Sequence, residues 1–184
     1  MSLDGYIADK DGGYDWIVMD PGIDFAAFVG QIDTLIMGRR TYELVGAGGG
    51  GMGFEGMETI VVSTTIDPAE HPKVSVVSSD VETFVKDLKK RDGKDIWLFG
   101  GGVLFRSLLE AGLVDRVEVG LIPVLLGEGV PLLPGLATAA AKLRLHSVEE
   151  MPKTGTLLLK YDVAASPAPR AKPRARSSAA VPRA

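Results

Sequence analysis

A short apolar run that ends in three consecutive glycines is the feature that most restricts the fold. Residues 96–99 have the composition of a buried strand, and Gly100, Gly101 and Gly102 follow them directly. The apolar spacing after the glycines is that of a helix. Glycines at such a junction let the backbone approach a ligand closely, and the N-terminus of the following helix favours an anion. The junction therefore predicts either a phosphate-binding turn or a tight strand-to-helix turn without a ligand.

Strand-like and helix-like segments alternate along the rest of the chain. Pro21 is placed for a first helical position. The apolar stripe that predicts the first helix, over residues 21–32, consists of Phe25, Phe28, Val29 and Ile32. The remaining strand-like segments are residues 34–37, 58–63, 74–77, 115–121, 143–145 and 156–163, and the remaining helix-like segments are residues 39–44, 81–88 and 103–111. This order predicts a three-layer α/β domain with a mostly parallel sheet and a C-terminal antiparallel hairpin.

Three of the predicted strands end in polar or glycine-rich sequences. In an open α/β sheet, ligands bind beyond the carboxyl ends of the strands, so these segments form a candidate binding rim. They are Gly38-Arg39-Arg40-Thr41, Ser63-Thr64-Thr65 and Gly100-Gly101-Gly102. Their backbone N–H groups, hydroxyls and two guanidinium groups suit a phosphorylated dinucleotide better than a metal ion or an uncharged ligand.

Length and composition indicate how many domains the chain contains and where its folded part ends. Its 184 residues predict one domain, residues 1–163, whose core needs no cross-links, and cysteine is absent. Residues 164–184 are rich in Ala, Pro, Arg and Ser, so we expect a disordered tail. Because this tail holds five basic residues and no acidic one, the rest of the chain is acidic, which argues against a nucleic-acid-binding face. Contact between the basic tail and an anionic partner is the alternative.

Missing sequence signals narrow the function further. There is no apolar run long enough to cross a bilayer and no N-terminal signal pattern, so we expect a cytoplasmic protein. The motifs of zinc proteases, serine hydrolases and P-loop NTPases are absent, and the glycines lack the G-x-G-x-x-G spacing. Hydride transfer from a bound nicotinamide fits what remains, because it asks little of the protein beyond positioning and a proton donor.

Several short motifs, occurring in a fixed order, resemble those of a known family. They are residues 2–8 (SLDGYIA), 15–16 (DW), 37–43 (MGRRTYE), 61–63 (VVS), 99–102 (FGGG), 113–115 (LVD) and 122–129 (IPVLLGEG). Together they resemble the dihydrofolate reductase-like superfamily, and most closely the C-terminal reductase domain of the bacterial riboflavin biosynthesis deaminase-reductase. The resemblance covers nearly all of residues 1–163. It implies one large central sheet, NADPH as the cofactor and commonly a homodimer.

The cofactor-binding residues that this resemblance implies fall into three groups. The group along the cofactor phosphates consists of Gly38, Arg39, Arg40 and Thr41. The group beside the adenosine 2′-phosphate consists of Ser63 and Thr64. The group around the pyrophosphate consists of Gly100, Gly101, Gly102, Val103 and Leu104. For Arg40, the alternative is a solvated helix residue.

On the substrate side, the resemblance implies a loop over the nicotinamide. The residues that would line it are Asp4, Tyr6, Asp15 and Trp16. Asp4, directly or through water, and Tyr6 are the candidate catalytic proton donors. The alternatives are a purely turn-forming role for Asp4 and a core position for Trp16.

The chain also departs from the family pattern. Tyr6 replaces a basic or small polar residue, an Ala-Asp-x-Pro motif is missing, and no glutamate precedes the later glycines. We therefore do not expect the phosphosugar substrate of the riboflavin branch. Asp24 falls outside the apolar stripe of the first helix, so we do not expect dihydrofolate reductase activity either. The family has a full strand before the motif at Ser2, and we expect Met1 to be an internal methionine.

The sequence thus predicts an NADPH-dependent reductase that acts on a C=O or C=N group of a small molecule. The alternative is an NADPH-binding module without turnover that acts as an interaction or stress protein. In both cases the glycines at residues 100–102 bind the cofactor rather than form an empty turn.

Overall fold

The computed structural model describes residues 1–45, 54, 56–135 and 141–164. Its helices are α1 (Phe25–Val29), α2 (Arg39–Val45), α3 (Val81–Leu88) and α4 (Gly102–Glu110). Its strands are β1 (Tyr6–Ala8), β2 (Ile32–Gly38), β3 (Glu58–Val62), β4 (Ser75–Val77), β5 (Asp95–Gly100), β6 (Arg116–Leu121), β7 (Val130–Pro131), β8 (Leu143–Met151) and β9 (Thr156–Val163). None of these helices is long and apolar enough to cross a membrane. Apart from Ala164, the predicted tail lies outside the described residues.

A four-stranded parallel sheet forms the centre of the molecule. Its strand order is β4-β3-β2-β5, so β2 has a hydrogen-bonded neighbour on each side. The middle of β2 is almost completely buried, with Leu35 and Ile36 each 1% exposed. A strand covered on both faces needs apolar side chains at successive positions, which explains the unbroken run from Leu35 to Met37. The predicted parallel sheet is confirmed.

Helices and loops cover both faces of the parallel sheet. On one face, Leu35 and Met37 of β2 pack with Tyr42 of α2 and with Phe54. Ring contacts among Phe25, Phe28, Phe54, Trp97 and Phe99 extend this side of the core. On the other face, Ile36 of β2 and Ile60 of β3 pack with side chains of α3 and α4. These layers are the three-layer α/β arrangement that the sequence predicts.

The remaining strands pair separately from the parallel sheet. β6, β9 and β8 form an antiparallel sheet in that order, which confirms the C-terminal hairpin, and β1 pairs with β7. The single large sheet implied by the resemblance is therefore corrected, because no strand in the described chain joins β5 to β6. An open trough of about 2560 Å³ lies there instead, lined by residues of both strands.

The first helix is shorter than its apolar stripe predicts. It starts at Phe25, after the Asp24 side chain accepts a hydrogen bond from the Ala27 N–H, and it ends at Val29. Buried Asp20 accepts hydrogen bonds from the Gly22 N–H and from the N–H and hydroxyl of Thr154, which holds the preceding segment in a turn. Ile32 belongs to β2 and pairs with Asp95, so strand pairing takes the last position of the predicted helix.

Candidate functional site

The carboxyl ends of β2 and β5 bring two of the predicted binding segments together. The strands are parallel neighbours, and their register places Met37 opposite Gly100. A Cβ atom added to Gly38 would lie 3.9 Å from the backbone nitrogen of Gly101. Because α2 begins at Arg39 and α4 begins at Gly102, both helices start at this rim. The segments at residues 38–41 and 100–104 therefore lie together at one rim of the sheet, where ligands of such folds bind.

Two glycines of the triplet, Gly100 and Gly102, are required, each for a different physical reason. Gly100 has φ +150°, a conformation that side-chain-bearing residues rarely adopt, and its peptide bond to Gly101 is cis. A Cβ on Gly101 would lie 3.4 Å from the Thr41 hydroxyl oxygen. A Cβ on Gly102 would lie 2.6 Å from the carbonyl oxygen of Leu132, which is too close for any residue with a side chain. Packing alone therefore fixes the third glycine, while the first is needed for backbone conformation.

The first turn of α4 offers backbone donors to the rim. The N–H of Phe105 donates to the carbonyl oxygen of Gly101 and makes the first hydrogen bond of this helix. The preceding N–H groups, those of Gly102, Val103 and Leu104, have no partner within the helix. The Val103 side chain is 71% exposed, whereas Leu104 packs into the core and anchors the turn. Such a helix start favours an anion.

The two arginines at the start of α2 differ in their surroundings. Arg39 forms an ion pair with Glu43 one turn later, at 2.8 Å. Arg40 is exposed and forms no ion pair with any acidic side chain of the described chain. Its guanidinium group is thus available to a ligand at the rim, where a phosphate could take two of its donors.

A second, smaller cavity of about 410 Å³ opens beside Arg39. Its polar lining consists of Arg39, Ser63, Thr64, Thr65 and Ser78. The Ser63 hydroxyl oxygen accepts hydrogen bonds from the N–H groups of Thr65 and Ile66, at 3.1 Å each, and so shapes the turn after β3. Thr64 and Thr65 are exposed at its surface. The third predicted segment therefore lies next to the rim and shares Arg39 with it.

Four side chains that sequence reasoning missed line the trough together with the rim. They are Tyr14, Ile17, Met19 and Phe99. Tyr14 and Met19 are 46% and 57% exposed although both are large and apolar. The sequence contains a signal for Tyr14, Ile17 and Met19, because large apolar residues are unexpected in the polar, glycine-rich segment that follows β1. They add apolar side chains to the lining of the trough, and Phe99 directly precedes the glycine rim in the chain.

The four residues predicted on the substrate side are placed differently. Asp4, Tyr6, Asp15 and Trp16 are not among the described residues that line the trough. The indole N–H of Trp16 donates to the carbonyl oxygen of Gly13, and the Tyr6 hydroxyl lies 3.4 Å from the carbonyl oxygen of Gly127. Their roles at a substrate stay predictions.

Asp4 holds two segments of the chain together. Its carboxylate accepts hydrogen bonds from the Ser2 hydroxyl at 2.6 Å and from the N–H groups of Gly127 and Leu126 at 2.7 and 3.1 Å. These donors, led by Ser2, lower the pKa of Asp4 below its ordinary value because each stabilises the charged carboxylate. At neutral pH Asp4 is therefore an acceptor that anchors the loop at residues 126–127.

Comparisons with known proteins show which family and which structures this chain is similar to. The family model of the RibD C-terminal domain matches residues 53–157. The uncharacterized protein YyaP of Bacillus subtilis is 36% identical over 147 residues, which cover 72% of this chain and 76% of YyaP. A protein from Shewanella sp. PV-4, whose name assigns it to riboflavin biosynthesis, is 28% identical and superimposes with a TM-score of 0.72 over 89% of this chain and 95% of its own.

A dihydrofolate reductase is also similar in structure. The enzyme from Enterococcus faecalis, solved in complex with NADP(H), is 25% identical and has a TM-score of 0.60 over 89% of this chain and 92% of its own. The fold is thus dihydrofolate reductase-like. With more than half of its length matched by the family model, the chain belongs to the RibD C-terminal domain family of reductase domains.

Proposed function

We propose that the protein is an NADPH-dependent oxidoreductase that transfers a hydride to a C=O or C=N group of a small molecule. The observation that carries this proposal is the convergence of Gly38–Thr41 and Gly100–Leu104 at the ends of two neighbouring strands. Membership of a reductase-domain family supports it, as does the likeness to a dihydrofolate reductase that binds NADP(H).

The rim fits the pyrophosphate of a dinucleotide. The free N–H groups of the first turn of α4 and the guanidinium group of Arg40 are donors for phosphate oxygens. Gly100 and Gly101 carry no side chain, so the backbone beside Thr41 can be approached closely. The bound nicotinamide would supply the hydride. The rim residues would bind and orient the cofactor so that its nicotinamide end reaches the trough.

The small cavity beside Arg39 suits a further phosphate. Its hydroxyls and one guanidinium group, in a space of about 410 Å³, match the 2′-phosphate that distinguishes NADPH from NADH. Ser63 is engaged by two backbone N–H groups, so Thr64, Thr65 and Arg39 would make most of the direct contacts. This cavity is the reason to propose NADPH.

The substrate would occupy the trough beside the glycine rim. Tyr14, Ile17, Met19 and Phe99 contribute apolar side chains to the trough lining, which favours a planar ring or another apolar body next to the reducible group. Asp4 is already charged and saturated with donors, so it would position the loop at residues 126–127. Tyr6, whose hydroxyl lies at the same loop, is then the remaining candidate proton donor, and this role requires its side chain to reach a trough that it does not line in the described structure.

Cofactor choice provides the first test. A Thr64→Glu substitution would place a carboxylate in the small cavity, where it repels a 2′-phosphate. We expect the NADPH dissociation constant, measured by isothermal titration calorimetry, to rise more than tenfold, equivalent to about 1.4 kcal/mol. The NADH dissociation constant of the same variant is the control and should not change. Equal losses for both cofactors would contradict the assignment of the cavity to the 2′-phosphate.

Turnover provides the second test and separates the enzyme from a binding module. The alternative, an NADPH-binding protein without turnover, is favoured by the placement of Asp4, Tyr6, Asp15 and Trp16 away from the described trough lining. Stopped-flow oxidation of NADPH against a panel of pterins, flavin precursors and aldehydes distinguishes the two. Oxidation that depends on one substrate class supports the reductase. Tight NADPH binding without oxidation by any member of the panel supports the binding module.

A further inference from the structure

A buried tyrosine of α2 and a histidine of the loop after β3 contact each other outside the lining of both cavities. The Tyr42 hydroxyl oxygen lies 3.0 Å from Nδ1 of His71, which is hydrogen-bond distance. The two rings meet edge to face, with centroids 5.4 Å apart and an interplanar angle of 79°. Tyr42 is only 4% exposed, so its hydroxyl needs a partner inside the protein. Among the residues that the structure describes, that partner is His71.

The turn that carries His71 is held in place by contacts other than the one to Tyr42. The His71 N–H donates to the carbonyl oxygen of Pro68, and its carbonyl oxygen accepts a hydrogen bond from the Val74 N–H, at 3.2 Å each. Ile66 and Val74, on either side of the turn, pack against the core cluster that contains Tyr42. The imidazole group is therefore attached to a fixed backbone at the edge of that core, where it restrains the tyrosine.

Both elements that this contact joins contribute residues to the lining of the small cavity. Arg39, the first residue of α2, lines the cavity and lies three positions before Tyr42, so the two side chains are neighbours on the helix. Residues 63–65 line the cavity as well, and His71 follows them in the same loop. A change in the contact between Tyr42 and His71 therefore changes the position of Arg39 relative to the hydroxyls after β3.

Within the described residues, no other hydrogen bond connects α2 to the loop after β3. The Arg39 guanidinium group donates to Glu43 of the same helix, and no backbone hydrogen bond of the described chain joins α2 to this loop. The remaining contacts between them are apolar packing, which is non-directional and specifies no distance between polar groups. The hydrogen bond between Tyr42 and His71 supplies that distance.

We propose that Tyr42 and His71 are positioning residues for the 2′-phosphate of NADPH. Their contact holds Arg39 at the distance from Thr64 and Thr65 at which all three side chains bind one phosphate. The inference rests on the proposed function, which assigns the small cavity to this phosphate. The glycine rim depends instead on the pairing of β2 with β5. The contact therefore sets the preference for NADPH over NADH rather than the affinity for a dinucleotide in general.

The ratio of the NADH and NADPH dissociation constants, measured by calorimetry, tests the proposal. Tyr42→Phe removes the hydroxyl and keeps the ring. We expect it to raise the NADPH dissociation constant about three- to tenfold, as for the loss of one hydrogen bond, and to leave that of NADH unchanged. His71→Leu should have the same effect, whereas His71→Asn should restore most of the affinity, because its amide can replace Nδ1 in the hydrogen bond. The double variant of Tyr42→Phe and His71→Leu should lose no more than either single variant.

His146→Leu is the matched control, because His146 is the only other histidine of the chain and lies in β8, outside the described lining of both cavities. It should change neither dissociation constant, and urea denaturation checks the fold of every variant. Equal losses of NADPH and NADH affinity in Tyr42→Phe, or no recovery in His71→Asn, would overturn this inference alone. Equal binding of NADPH and NADH by the wild-type protein would overturn the assignment of the small cavity and the inference with it.

Discussion

Gly102 illustrates how one residue can be fixed by its neighbours rather than by its own backbone conformation. It is the first residue of α4, where a residue with a side chain would favour the helix more than glycine does. Glycine is nevertheless required, because the space for a Cβ is taken by the carbonyl oxygens of Leu132 and Pro131, at 2.6 and 2.9 Å, and by the ring of Pro134. The segment after β7 therefore packs directly on the start of the helix that would bind the cofactor.

A Gly102→Ala substitution should lower both stability and cofactor affinity. The added methyl group would displace backbone atoms, at a cost of about 1–3 kcal/mol for overpacking, against a gain of about 1 kcal/mol in helix propensity. Gly120→Ala is the matched control, since its Cβ would meet only side-chain carbons at 3.7 and 3.8 Å. Urea denaturation and NADPH titration of both variants check the prediction. Equal behaviour of the two variants would contradict the packing argument.

The lowered pKa of Asp4 predicts an acid-side loss of stability. Its pKa is lower in the folded protein than in the unfolded chain, so the stabilisation is complete above the ordinary value of 3.8 and disappears as the pH falls through the folded value. We expect Asp4→Asn to melt at a lower temperature than wild type from pH 5 to pH 7, with a difference that shrinks below pH 3.8.

Asp92→Asn is the control for this pH dependence. Asp92 is exposed, and its carboxylate accepts no hydrogen bond from the residues that the structure describes. Its substitution should leave the melting temperature unchanged at every pH. A constant difference between Asp4→Asn and wild type down to pH 2 would show that Asp4 acts through packing rather than through charge.

At the residue scale, the structure brings the residues predicted for the phosphate side together, but not those predicted for the substrate side. The glycines, arginines and hydroxyls that follow β2, β3 and β5 are local signals, because strand ends in a parallel sheet meet at one edge. The unusual composition after β1 marks Tyr14 and Met19, but their place in the trough lining depends on the path of that loop, which no local pattern specifies. The structure consequently adds these residues and leaves the roles of Asp4 and Tyr6 as predictions.

Among the secondary-structure elements, α1 shows where a periodic pattern misleads. Phe25, Phe28, Val29 and Ile32 have helical spacing, yet the helix contains only the first three. Ile32 is buried as the first residue of β2, where pairing with β5 and packing beneath Trp97 and Phe28 outweigh one more helical turn. Tertiary packing decides such a boundary, so a single apolar residue at its edge fits either element.

The burial of β2 predicts a large difference between two leucines that are close in sequence. Leu35→Ala removes a side chain that is 1% exposed in the central strand, and should lower the free energy of unfolding by about 2–5 kcal/mol. Leu44→Ala on α2 removes a side chain that is 60% exposed, and should change the free energy of unfolding by about 0.5 kcal/mol at most. Urea denaturation followed by tryptophan fluorescence measures both. Similar losses would contradict the assignment of the core.

For the whole molecule, the sequence predicts which strands belong to a parallel sheet and which to an antiparallel one. It does not predict that the two sheets are separate. β2 and β5 contain continuous apolar runs, as parallel strands do. β6 and the second half of β9 alternate apolar and polar residues, as strands with one uncovered face do. Which strands pair across long stretches of sequence is not encoded in these local patterns. The trough between β5 and β6 is therefore a property of the assembled structure only.

The trough predicts that an added N-terminal strand would stabilise the molecule. Ser2 already forms a parallel bridge with Ile122, and the Ile122 N–H donates to the carbonyl oxygen of Met1, so a preceding extended segment would run along β6. The other edge of this added segment would pair with β5. We expect an extension of about six residues that alternate apolar and small side chains to raise the urea midpoint.

A glycine–serine extension of equal length is the control for the added strand. It supplies the same backbone without apolar side chains, and should leave the urea midpoint close to that of the unextended chain. If both extensions gave the same midpoint, the trough would not be a strand-binding site.

The same trough has a consequence for the cooperativity of unfolding. In the described part of the chain, no ladder of hydrogen bonds joins the parallel sheet to the antiparallel sheet. The backbone hydrogen bonds next to the trough join residues 1–3 to residues 120–124. Weakly connected parts of a protein open as separate units with separate free energies. Trp97 is a spectroscopic probe of the parallel sheet, whereas Tyr161 belongs to the antiparallel one. The signal of Trp97 would therefore follow the opening of the parallel sheet, and the signal of Tyr161 that of the antiparallel sheet.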